Sequence, residues 1–122
     1  MSQLFIDGAW TTGRGASFVS LNPANGQPVW EGHSASAADI GAAFAAARRA
    51  FDDWRCRSLD ERIALVRRFA EVLGEHKEEM ARAIGVETGK PLWESRQEVT
   101  AMVGKIDISI RAYNERTGEK RG

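Results

Sequence analysis

The stretch VETGKPLWE, Val86–Glu94, lies between two segments of helical patterning, and its reading decides how the whole chain is organised. Its Gly-Lys pair suggests a phosphate-binding loop. A loop of the Walker type needs G-x-x-x-x-G-K followed by Ser or Thr, after a strand, because backbone N–H groups cradle the phosphates and the hydroxyl holds magnesium. Here Gly85 is one residue too close to Gly89, Pro91 stands where the hydroxyl belongs, and an apolar helical pattern precedes the pair. The same residues fit a helix junction. Gly89 sits where a helix C-terminus wants a left-handed residue, and Pro91 falls in the first turn of the next helix, where its missing N–H goes unneeded.

On the C-terminal side of the junction, Val99, Met102, Val103, Ile106, Ile110 and Tyr113 recur at helical spacing and predict a strongly amphipathic helix. On its N-terminal side, HKEEMARAIGVE reads as a shorter helix with Met80 and Ile84 inward. Further upstream, Ser58 with Glu61 forms a capping box ahead of the stripe Leu59, Ile63, Val66, Phe69, Ala70 and Leu73. Gly74 ends or bends that helix, since glycine costs about 1 kcal/mol relative to alanine in a helix interior. Ser36 with Asp39 repeats the capping pattern ahead of Ile40, Ala43, Phe44, Ala47, Phe51 and Trp54.

Before Ser36 the chain is rich in turn formers: Asp7-Gly8, Gly13, Gly15, Asn22-Pro23 and Asn25-Gly26. They separate two or three short strands, QLFI running on to Trp10, SFVSL and PVWEG, with Asn25-Gly26 reversing the chain between the second and third. The expected fold class is α+β: short N-terminal strands over residues 4–31, then four helices over residues 36–116, without an internal repeat.

Bulk properties exclude several classes of function. A chain of 122 residues is one modest domain at most and buries roughly two thirds of its unfolded surface. Its 17 basic and 17 acidic residues cancel and are interspersed, which argues against nucleic acid and anionic membranes as partners. No apolar run approaches a membrane span and the N-terminus lacks signal-peptide features, so a cytoplasmic location is expected. The single cysteine, Cys56, makes no internal disulfide and fits a reducing compartment.

Each chemistry-bearing residue has a plainer reading. Cys56 stands between Arg55 and Arg57, a cationic setting of the kind reactive thiols use, but His33 and His76, the only imidazoles, stand in no recognisable Cys-His arrangement. An inert inter-helix cysteine and solvent-facing histidines are expected. The carboxylates of DERI, EEMARAIGVE and WESRQEV alternate with Arg and Lys at helical distances, the pattern of a solvated helix face. Trp10, Trp30, Trp54 and Trp93 lack a basic stripe and read as packing anchors at element ends. The residues therefore present scaffold and no self-sufficient active site.

Taken in order, LFIDGAW, LNPANGQPVWEG, AAFAAARRAFDDW, SLDERIALVRRFAEVL and ETGKPLWESRQEV resemble the N-terminal portion of the aldehyde dehydrogenase superfamily across nearly the whole chain. The stretch EVTAMVGKIDISIRAYNERTGEKR is similar to the branch that acts on N-succinylglutamate 5-semialdehyde in bacterial arginine catabolism. The resemblance implies part of an α/β Rossmann-like NAD-binding domain within a much longer parent, with NAD as the parent's cofactor and none expected for residues 1–122 alone. It also implies a cysteine thiolate attacking the aldehyde, hydride transfer to the nicotinamide, a glutamate-activated water, and an oxyanion held by an asparagine side chain and a backbone N–H.

No residue of that machinery matches a position in this sequence, so no catalytic, cofactor-binding or metal residue is assigned, and Cys56 does not take the nucleophile's role. The machinery is expected beyond Gly122. The family's structural monovalent-cation site would map to the carbonyls of Ser20 and Leu21 and the side chain of Glu87, with its remaining ligands also beyond Gly122. Expected partners are the remainder of the dehydrogenase chain and, when complete, further copies in a homo-oligomer, with no nucleic acid and no membrane. The alternative is a stand-alone helical binding or assembly module without catalysis.

Overall fold

The computed structural model describes residues 4–117. Two compact units emerge, one formed by the chain up to Arg57 together with Val86–Gly89, the other by Ser58–Gly85 and the chain from Lys90 onward.

The first unit opens with β1 (Leu4–Ile6) and β2 (Ala9–Thr11), paired antiparallel with Phe5 opposite Trp10 and Ile6 opposite Ala9. Asp7 and Gly8 both take positive φ, 53° and 79°, the mirror-image turn whose twist matches its flanking strands. This hairpin replaces the single strand expected from QLFI to Trp10. Asp7-Gly8 is the loop itself, and Gln3 lies outside the described residues. β3 (Ser17–Leu21) and β4 (Pro28–His33) form a second antiparallel pair, with a register shift between Ser20 and Leu21. The expected reversal at Asn25-Gly26 is present. The Asn22 carbonyl accepts from Gly26 N at 2.7 Å, and the Asn22 and Asn25 side chains accept from Ala24 N and Gln27 N, both at 2.9 Å.

α1 (Ala37–Cys56) starts at Ser36, whose hydroxyl accepts from Asp39 N at 3.2 Å while Asp39 Oδ2 accepts from Ser36 N at 2.8 Å. Asp39 is almost fully buried and is also the anchor for the preceding loop. Arg14 Nε and backbone N donate to its two oxygens at 2.7 and 3.0 Å. The Ser36 N–H and hydroxyl, and then the Arg14 guanidinium, hold the Asp39 carboxyl well below the ordinary range, against the opposing effect of burial.

A folded-state pKa depressed in this way stabilises the first unit above the unfolded carboxyl's value of about 3.9, and the contribution is lost progressively as pH falls below it. Melting temperatures of the parent and Asp39→Asn should therefore diverge most near neutral pH and converge in acid. Parallel curves across that range would contradict the assigned role.

α1 meets β1, and its buried residues are Asp39 and Ala46. The expected inward stripe is open instead, with Phe44 75% exposed and Ile40, Phe51 and Trp54 exposed as well. The helix uses its alanine side against the short hairpin, because small residues allow close approach, and the large side chains are left over.

The second unit contains α2 (Leu59–Glu75), α3 (Lys77–Thr88, whose last turn belongs to the first unit) and α4 (Leu92–Arg116). Ser58 caps α2 through the expected box, its hydroxyl accepting from Glu61 N at 3.2 Å, and the helix stops one residue after Gly74. α2 packs on α4, and Ala81, Ser95 and Val99 are fully buried at the unit's centre. Val103, Ile106 and Ile110 are half-buried along the same seam. Met102, Tyr113, Val66 and Phe69 are exposed, contrary to the expected stripes, since each helix turns only part of its apolar arc toward its partner. Arg96 joins α4 to α3 with a two-pronged bridge, Nε and Nη2 each 2.8 Å from an oxygen of Glu78.

Gly89 adopts φ +75° after α3, as its junction role requires, and an added Cβ would lie 2.9 Å from Pro23 Cγ. Pro91 is the N-cap of α4, one position before the first-turn site expected from the sequence, with its carbonyl accepting from Glu94 N and Ser95 N at 3.0 and 3.1 Å.

Candidate functional site

The Gly-Lys pair of the junction is built for structure. Lys90 Nζ pairs with Glu98 and lies 3.7 Å from Glu94, so the ammonium is spent on α4 and its pKa is raised, chiefly by Glu98. A helix and not a strand precedes the loop, and the described strands are all antiparallel. Neither condition for a phosphate cradle is met. A dinucleotide turn would further need a βαβ unit, and the described residues contain none.

The remaining sequence candidates do not converge. Cys56 is an exposed thiol at the last residue of α1. His33 Nδ1 lies 3.2 Å from the Gly15 carbonyl oxygen in the first unit, and His76 Nδ1 lies 3.0 Å from Glu79 Oε2 in the second. Among the described residues no three His, Cys, Asp or Glu side chains gather as a metal site.

A carboxyl tuned as a general acid has its pKa raised and a lysine tuned as a general base has its pKa lowered, and the groups with resolved shifts here move the other way. Glu78 is lowered, first by its hydrogen bond from Arg96, whereas Arg96 and Arg68 are raised by Glu78 and by Glu71 with Glu75. These are charged groups locked into helix-surface ion pairs, as the alternating pattern implied.

Ser20, Leu21 and Glu87 do fall within one unit, with Ser20 opposite Trp30 and Leu21 just past the register shift. Their three oxygens are about half of the six to eight that a hard cation of calcium's size collects. The three residues present do not by themselves fit such an ion.

The surface carries a signal that the sequence reading missed. Of the four tryptophans expected as anchors, Trp10 and Trp93 are 69% and 62% exposed and Trp54 is also open, while Trp30 packs against Phe18 with ring centroids 4.6 Å apart and the rings tilted by 53°. Phe5, Phe44, Phe51 and Phe69 add to the open apolar surface. The clue available in the sequence was the alanine run Ala42-Ala43 and Ala45-Ala46-Ala47, which offers α1 a second packing face beside its aromatic one. So much exposed aromatic area is characteristic of surface meant to be covered.

Known proteins show what such a surface belongs to. The pattern described as "Aldehyde dehydrogenase family" matches residues 10–121. A protein of Paraburkholderia xenovorans (strain LB400), described as N-succinylglutamate 5-semialdehyde dehydrogenase, is 60% identical over 121 residues, covering 99% of this chain and 25% of its own length. One of the same description from Burkholderia mallei (strain SAVP1) is 59% identical with the same coverage.

Among solved structures, an NAD-dependent benzaldehyde dehydrogenase from Corynebacterium glutamicum superposes with a TM-score of 0.83 at 30% identity, covering 92% of this chain and 24% of that one. Succinate-semialdehyde dehydrogenase from Burkholderia pseudomallei gives 0.79 at 29% identity, covering 84% and 22%. The chain thus spans about a quarter of the length of the relatives it matches. With five ordered sequence motifs, a matching fold and a family pattern across residues 10–121, this chain belongs to the aldehyde dehydrogenase family.

Proposed function

We propose that residues 1–122 are the N-terminal segment of an NAD-dependent aldehyde dehydrogenase that oxidises N-succinylglutamate 5-semialdehyde to N-succinylglutamate in arginine catabolism. In this reading they form outer framework of the cofactor-binding domain and hold no catalytic residue. The observation that carries it is 60% identity to a dehydrogenase of that description, sustained over 121 residues. The absence of a convergent acid, base or nucleophile among the described groups is consistent with a framework role.

NAD, when bound to the complete protein, supplies the hydride acceptor. The residues of this segment would act by position: Asp39 fastens the loop at Arg14 to α1, and Gly89 turns the chain into α4. The partners in this reading are the rest of the dehydrogenase chain and further copies in a homo-oligomer. A cytoplasmic setting accords with it, and among the described residues no helix is long and apolar enough to cross a membrane.

A chimera tests the proposal. Residues 1–121 would replace the matching quarter of the P. xenovorans relative, leaving its other three quarters intact. NADH formation from N-succinylglutamate 5-semialdehyde at a rate comparable to that relative is expected. A soluble, folded chimera that turns over a different aldehyde and not this one would overturn the substrate assignment.

A further inference from the structure

We draw no further inference here: the strongest candidate, the buried Nε donor of Arg62 on the first turn of α2, lacks a hydrogen-bond partner among the described residues, and nothing in the structure shows what would accept from it.

Discussion

Val99→Asp should lower the total helical signal in far-ultraviolet circular dichroism by roughly the share that α2 and α4 contribute. Val99 is fully buried beside Ala81 and Ser95, the centre of a unit with very little interior to spare. The change forfeits about 1.5–3 kcal/mol of apolar burial. It also buries a carboxylate, and a buried charge left without a partner costs roughly a further 3–5 kcal/mol. Together these rival the whole stability of a small domain, about 5–15 kcal/mol.

Val99→Ala isolates the packing loss and should lower stability by roughly 1–3 kcal/mol in urea titrations. Phe69→Asp serves as the control. Phe69 is 57% exposed, so the same acidic side chain there should shift stability by less than about 0.5 kcal/mol. If Val99→Asp and Phe69→Asp melted alike, the assignment of the seam would be wrong.

Gly13→Ala should have the second largest effect, and on the other unit. A Cβ at Gly13 would stand 2.4 Å from the Ser34 carbonyl oxygen and 2.6 Å from that of His33. Both are backbone atoms and neither can step aside as a side-chain tip would. Relief requires moving the end of β4 away from the loop. That motion strains the bonds in which Ser34 O accepts from Gly15 N at 2.8 Å and Ala16 O accepts from Ser34 N at 2.9 Å. A loss of at least about 3 kcal/mol is expected, the range of severe overpacking. Proton–deuterium exchange should show it as lost protection at Gly15 and Ser34, with the amides of α4 unchanged. Retained protection at those two amides would refute the close approach.

Local chemistry was legible in the sequence and long-range pairing was not. Ser36 with Asp39 and Ser58 with Glu61 close their boxes within a single turn, so four residues of sequence contain the whole interaction. Gly89 is likewise a local conformational demand, met at positive φ. Asn25-Gly26 reversed the chain where its residue types imply. The β1–β2 hairpin escaped notice because each strand is only three residues long, too short for alternation to register.

The helical stripes were visible as patterns, yet a stripe does not name its partner. α1 turns its alanines to the hairpin and leaves Phe44 outside, a choice made by the neighbour's shape and not by periodicity. Asp39 illustrates the same limit. Its capping bonds were predictable, whereas the Arg14 contact spans 25 positions and depends on the fold.

For the candidate site, the mismatch of GKP to a phosphate loop was readable residue by residue, and the Lys90 ion pairs agree with it. The family was carried by the order of five motifs and is matched across residues 10–121. Every ionisable group with a resolved shift among the described residues is driven toward its charged form by a structural partner, which spacing alone does not reveal.

The most direct test of the framework account is a spectrophotometric assay of the purified 122-residue chain with NAD and N-succinylglutamate 5-semialdehyde. Absorbance from NADH should stay at the level of a protein-free blank. Steady NADH formation that scales with the amount of chain added would show that these residues hold a working active site, and would contradict the account.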